Sequence, residues 1–390
     1  PFNALMTALA GTIGTGSIVG VATAILSGGP GALFWTWVSA FFGMATIYAE
    51  AVLAQHYKTT VNGHVTGGPA YYIRAAFKGK VGKVLATVFS VLIILALGFM
   101  GNMVQSNSIG DAFHNAFGLN RLAVGVVVAA IAAFIFLGGV QRIAAVTEKV
   151  VPIMAAFYIL GCIVILVINA KALPGALAQV FVLAFEPQAM AGGIAGVTVQ
   201  QSMRFGVARG LFSNEAGSGS APCAAAAASC DDPVKMGFVQ ALGVLIDTVV
   251  ICSCTAFMML LAPANITTGL TGMDLLQAAA QYHLGSFGVV FIAITLALFS
   301  FSTFIGILFY ARSNVAYLFG DRWGWQTAYK VLALVMLMVG GLEAYTVVWD
   351  LGDVGIGLMT IFNLIALYPM SGEAIAALRD YERRKHLTQN

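Results

Sequence analysis

From Pro1 to Ala49 the chain contains no Asp, Glu, Lys, Arg or His. A water-soluble fold has no surface to make from such a run, whereas a membrane-crossing helix needs about 20 mostly apolar residues. The stretch therefore reads as consecutive spans. The rest of the chain agrees, with 59% hydrophobic and 9% charged residues over its 390 positions, against roughly a quarter charged in soluble domains. These features define a polytopic membrane protein and exclude disorder, a coiled coil, a secreted disulfide scaffold and a nucleic-acid binder. The net charge of +3 says little about partners, because the placement of the charges matters more than their sum.

The five cysteines, Cys162, Cys223, Cys230, Cys252 and Cys254, lie in apolar stretches without a CxxC pair. They read as small buried hydrophobes, with no metal or disulfide framework. The first residue is Pro1, so an N-terminal segment is expected to precede it and no signal peptide can be judged.

Charges punctuate the sequence into ten expected helices, at 2–27, 30–56, 83–112, 121–140, 149–169, 192–229, 234–263, 286–318, 323–342 and 345–371. Residues 57–82 are expected to form a loop with a short helix after Gly67-Gly68-Pro69, and residues 373–390 a charged helical tail. If the first span starts in the cytoplasm, only Arg121, Lys171, Arg204 and Arg209 fall outside. The other 15 of the 19 Lys and Arg then lie inside, as the positive-inside bias requires. The expected location is a multi-pass prokaryotic plasma membrane.

Two spans are not ordinary Val/Ile/Leu/Ala/Phe helices. The first carries Gly11-Thr12-Ile13-Gly14-Thr15-Gly16-Ser17 and then Gly20, and the sixth carries Gly210 through Ser220 and then Pro222. Glycine in a helix interior costs about 1 kcal/mol relative to alanine, so both stretches are expected to unwind. Unwound backbone at membrane depth is tolerated only where it lines a cavity or is buried in protein. A half-helix N-terminus presents N–H groups to an anion, and a half-helix C-terminus presents carbonyls to a cation. Such a site suits a zwitterion together with a sodium ion. The breaks are roughly 200 residues apart, each in the first span of a five-span half, which points to inverted repeats. The expected organisation is 1–170, 171–372 and the tail 373–390. Small-residue helix packing explains Gly16 and Gly20, but not Ser213-Asn214-Glu215 at membrane depth.

At these residues the chain resembles the alanine/glycine:cation symporter family, the sodium:alanine symporters. The resemblance covers essentially the whole chain. It rests on Gly14-Thr15-Gly16-Ser17 with Gly20-Val21-Ala22, on Gly28-Gly29-Pro30-Gly31-Ala32, on Gly67-Gly68-Pro69-Ala70-Tyr71-Tyr72-Ile73, and above all on Arg209-Gly210-Leu211-Phe212-Ser213-Asn214-Glu215-Ala216-Gly217. It implies an all-α integral membrane protein with the ten-helix, 5+5 inverted-repeat, leucine-transporter-like fold, broken in helices 1 and 6, and one further helix before this core. It implies backbone at Gly14, Thr15 and Gly16 for the substrate carboxylate. Carbonyls from Phe212 to Asn214, Ser213 included, would face the ammonium. Gln105 would add a side-chain contact and Phe212 a wall.

For sodium the resemblance implies carbonyls of Ala10, Ile13 and Phe299 with the hydroxyls of Ser302 and Thr303, hard oxygens without a carboxylate cage, suited to a weakly bound monovalent ion. Alone, Ser302 and Thr303 would read as ordinary back-bonded helix hydroxyls. No organic cofactor is expected. The implied partners are a small neutral amino acid and the lipid bilayer, with a monomeric carrier. Two departures stand out: Ser17 where the family commonly has Asn, and Ile307 where it commonly has Trp. The second leaves extra pocket volume, so a larger neutral side chain is expected to enter.

Ionisable groups at membrane depth are functional candidates. Glu50 reads as interfacial or functional. Glu215 reads as orienting the unwound backbone, pairing with Arg209, or touching substrate or ion. Asp247 reads as paired with a helix hydroxyl or contributing to coupling. Arg204 and Arg209 fit a water-filled vestibule on the outer half of the sixth span. The five histidines fall at loops or helix ends, against a histidine proton relay. A membrane enzyme would need a nucleophile with its base, or a metal motif such as HExxH, and neither occurs. Proton coupling in the same fold, or a channel, remain the alternative readings.

Overall fold

A computed structural model describes residues 2–137, 139–186, 198–342 and 345–389. The first span is interrupted: α1 (Phe2–Thr12) ends at a bend over residues 13–14, and the wide turns of a π-helical stretch (Gly16–Gly20) lead into α2 (Val21–Gly28). Next come α3 (Gly31–His56), the antiparallel hairpin β1 (Thr59–Val61) and β2 (His64–Thr66), and α4 (Pro69–Ala76). The following span runs as α5 (Gly79–Ile93), a π-helical stretch (Ile94–Gly101) and α6 (Asn102–Phe117). Helices α7 (Arg121–Leu137), α8 (Gly139–Ile168) and α9 (Leu173–Val182) follow.

The sixth expected span is also interrupted, into α10 (Val199–Asn214) and α11 (Ala221–Ala227); its expected start at 192 lies outside the described residues. Then come α12 (Pro233–Val244), a third π-helical stretch (Leu245–Cys252) and α13 (Ser253–Leu260). Helices α14 (Ala264–Thr267), α15 (Gly272–Leu284), α16 (Ser286–Phe319), α17 (Trp323–Gly340) and α18 (Tyr345–Gln389) complete the chain. Among the described residues, six helical runs are long and apolar enough to cross a membrane.

Polarity is inverted relative to a soluble fold. Large apolar side chains face outward, among them Phe41, Phe42, Phe134, Ile153 and Val167. Glu50, Asp247, Asn102 and Asn363 are buried. This arrangement is stable only when lipid covers the exterior and the interior polar groups find one another. Close backbone approach draws α10 onto α3: a Cβ added to Gly206 would lie 2.3 Å from the Ala32 carbonyl oxygen. Helix α16 contacts α1, α6 and α8, and so stands beside the interrupted first span.

Several expectations are corrected. Residues 57–82 hold a hairpin as well as the short helix, whose N1 position is Pro69. The segments 171–186 and 264–285 contain α9, α14 and α15 rather than loop alone. Too short to span a membrane, these pieces carry no 20-residue apolar signature. Helix α8 begins ten residues before the expected 149. The tail is not a separate element, since α18 continues through Pro369 to Gln389.

Candidate functional site

Local chemistry explains where the two breaks fall. In the first, the Gly14 N–H reaches the Ser17 hydroxyl at 3.4 Å instead of continuing the helical ladder. Gly14 also permits contact that no other residue would, because a Cβ there would lie 2.3 Å from Thr303 Oγ1. In the second, α10 closes on Glu215, whose N–H donates to the Leu211 carbonyl at 3.0 Å in a left-handed conformation (φ 55°). Gly217 and Gly219 follow at φ 90° and 82°, which glycine adopts freely.

A small cavity lies between the breaks. Gly11, Thr12, Gly14, Thr15 and Gly16 form one wall, Phe212 and Glu215 another; Ala96, Leu97, Gly101, Gln105, Thr303, Ile307, Gly352 and Ile356 complete it. Thr15 donates to Gln105 Oε1, and its hydroxyl is 2.8 Å from that of Ser300. Of the residues expected at a substrate site, Gly14, Thr15, Gly16, Gln105, Phe212 and Ile307 line this cavity. Ser213 and Asn214 do not, since their side chains turn to the π-helical stretch after α12. Ser213 donates to Asp247 Oδ2 at 2.7 Å, and Asn214 donates to Thr248 Oγ1 at 3.1 Å.

Of the expected sodium ligands, Thr303 Oγ1 donates to the Ile13 carbonyl at 2.9 Å. Ser302 Oγ donates back to the Phe299 carbonyl at 2.9 Å and also contacts Met154 Sδ at 3.4 Å. Ala10 is buried in the last turns of α1 beside Gly306. The oxygens of Ile13 and Thr303 thus meet at the cavity edge. Both are hard, neutral oxygens, and among the described residues there is no group of three or more His, Cys, Asp or Glu that could hold a metal ion.

Three buried carboxylates organise the breaks. Asp247 receives the Ser17 hydroxyl at 2.5 Å and the Ser213 hydroxyl at 2.7 Å, so it ties the first break to the second. Glu50 accepts the N–H groups of Gly217 at 3.0 Å and Gly219 at 3.1 Å, together with the Asn363 amide. It supplies the acceptors that the interrupted helix lacks, and Tyr72 donates to Asn363 beneath it. Glu215 accepts from Ser220.

The expected pairing of Glu215 with Arg209 does not occur. Arg209 grips Asp353 with two bonds, at 2.8 and 2.6 Å, and stacks over Trp349 (5.0 Å) and Phe212 (5.8 Å). Geometry decides this. Glu215 lies beyond the end of α10 in a left-handed turn, while Arg209 is more than one turn earlier and faces α18. The role of Asp353 carried no sequence signal beyond its charge, and a bidentate arginine–carboxylate pair needs the fold to bring 209 and 353 together.

A membrane-embedded cavity between interrupted helices suits a carrier. The sodium:alanine symporter family matches residues 1–390, and the chain belongs to that family. The probable sodium/glutamine symporter GlnT of Bacillus subtilis is 44% identical over 386 residues, covering 99% of this chain and 79% of that protein. The sodium/alanine symporter AgcS of Methanococcus maripaludis is 41% identical over 394 residues, covering 100% and 86%. In fold, the chain is similar to the manganese transporter of Eremococcus coleocola, with a TM-score of 0.63 at 12% identity over 95% of this chain and 78% of that one. The chain is thus a multi-pass membrane protein of a sodium:amino-acid symporter family.

Proposed function

We propose that the protein imports alanine, glycine or another small neutral amino acid with sodium, by alternating access. The observation that carries this reading is the cavity where both broken helices meet, with Ile13 and Thr303 oxygens at its edge. Sodium held by Ile13, Phe299, Ser302 and Thr303, with Ala10, would order the break in the first span. The backbone at Gly14 to Gly16 would then be set for a carboxylate, and the carbonyl end of α10 for an ammonium. We further read residues 1–170 and 171–372 as inverted repeats, the start of α1 as cytoplasmic, the plasma membrane as the location and the carrier as a monomer.

Radiolabelled uptake into proteoliposomes, with and without an inward sodium gradient, tests the reading. Accumulation should require sodium and be competed by glycine. A proton gradient that replaces sodium would sink the sodium site, and conduction without accumulation would favour a channel.

The side-chain end of the cavity is lined by Ile307, whose Cδ1 lies 3.4 Å from a Cβ built on Gly101. With Ile there, glutamine is an expected competitor alongside alanine, a reading the sodium/glutamine relative supports. Ile307→Trp should fill this end and weaken glutamine competition about tenfold relative to alanine, since overpacking costs about 1–3 kcal/mol. An unaltered competition profile would show that Ile307 does not set the pocket's reach.

A further inference from the structure

Glu215 occupies a position where its residue type is expensive. The residue that ends a helix in the left-handed conformation is usually glycine, sometimes asparagine, and any other side chain there is held under backbone strain. The segment is rich in glycine, with Gly210, Gly217 and Gly219 close by, yet Glu stands at φ 55°. Glu215 lines the cavity together with Gly14–Gly16, while only 4% of the residue is exposed.

The charge on this carboxylate has no basic counterpart. Among the described residues no ion pair reaches Glu215, and Arg209 is held by Asp353. Its own hydrogen bond comes from the neutral Ser220 hydroxyl. The groups acting on it electrostatically, Asp247 and Glu50, are acidic, and the carbonyl end of α10 adds negative potential. A second polar group there is incomplete. The Tyr310 hydroxyl, in a residue 1% exposed, has no hydrogen-bond partner among the described residues and touches Gly11 of the cavity wall, where a Cβ would come within 1.8 Å of it. A buried carboxyl of this kind is stabilised either by a proton or by a cation beside it, and an open cavity wall gives access to a cation.

We propose that Glu215 is a cation-binding carboxylate of the cavity, and that the cation it takes is the ammonium group of the amino-acid substrate. This rests on the transport reading above and adds to it a side-chain anchor not supplied by the helix-end carbonyls. The sodium oxygens at Ile13 and Thr303 belong to a different wall, so the two cations are separable by mutation. Substrates without a protonated amine would leave Glu215 uncompensated and be rejected.

The test uses the purified full chain in detergent at saturating sodium. Calorimetry measures the binding of L-alanine, and of lactate, which keeps the carboxylate but has a hydroxyl in place of the amine. Glu215→Gln should weaken alanine binding by about 10- to 100-fold, the worth of a charge-assisted hydrogen bond. It should reduce the alanine-to-lactate preference by the same factor. The thermal shift caused by sodium alone should persist at wild-type sodium concentrations.

Alanine affinity within about threefold of wild type (under 0.7 kcal/mol at RT ≈ 0.59 kcal/mol) would overturn the proposal. Loss of the sodium response in step with alanine binding would assign the carboxylate to the inorganic cation and overturn it equally. If the Gln variant does not fold, Glu215→Asp keeps the charge on a shorter arm and should still weaken alanine severalfold. Unchanged alanine affinity in that variant, or failure of both variants to fold, would make the residue structural. A wild-type protein that binds no neutral amino acid would refute the transport reading itself. Wild-type binding with an unaffected variant refutes this inference alone.

Discussion

Thr303→Ala should raise the sodium concentration for half-maximal uptake by about tenfold, while the sodium-free protein keeps its fold. The hydroxyl makes one hydrogen bond, to the Ile13 carbonyl at 2.9 Å, and a bond of this kind contributes about 1 kcal/mol net. Folding stability should therefore change little. Sodium is affected more, because the same oxygen is a proposed ligand, and losing it also leaves the Ile13 carbonyl without its cross-helix partner. Thr303→Ser, which retains the oxygen, should stay near wild type. The pair of variants is read by sodium titration of alanine uptake in proteoliposomes. An unchanged sodium dependence in the Ala variant would remove this position from the ion site.

Glu50→Ala is expected to be more damaging still, although Glu50 is not among the residues lining the cavity between the breaks. Its carboxylate is the common acceptor for Gly217, Gly219 and Asn363. Without it, three buried donors lose a charged partner, which costs about 3–5 kcal/mol when one side of a buried network is deleted. The turn between α10 and α11 would lose its fixed geometry and Phe212 and Glu215 their positions. Transport should fall to background and the thermal transition should broaden or drop. Glu50→Gln, which keeps one acceptor oxygen, should retain part of both. Melting curves and uptake measured on the same preparations distinguish the outcomes. Full activity in Glu50→Ala would show that the turn is held by its own backbone.

The spans and the breaks were legible for different reasons. Long apolar runs such as Gly31–His56 and Ser286–Phe319 announce themselves by length and lack of charge. The breaks announced themselves because Gly14-Thr15-Gly16 and Gly217-Ser218-Gly219 oppose a helix where the flanking residues demand one. What stayed hidden depends on distance in space. No local pattern joins Arg209 to Asp353, or Ser17 and Ser213 to Asp247. The three π-helical stretches among the described residues were also invisible, because they lie within otherwise ordinary apolar helical runs. Two of them, Gly16–Gly20 and Ile94–Gly101, border the cavity, and such widenings are common at functional sites. Ser213 and Asn214 were read as offering backbone carbonyls to the substrate, and their side chains bond to Asp247 and Thr248.

Helix α18 is unbroken for 45 residues. At about 1.5 Å per residue it is a rod of roughly 67 Å. Gly352 and Ile356 of this rod border the cavity. Farther along, Glu373 receives the Tyr57 hydroxyl, and Arg384 holds Asp232, the residue that caps α12. A continuous helix therefore runs from the cavity to a region of high charge beyond the apolar run. A tilt of about 5° at the chamber would displace the far end by roughly 4 Å, given the length per residue of a helix. Any rotation of this rod beside the cavity would thus be delivered, as leverage rather than chemistry, to Tyr57 and Asp232 at its far end.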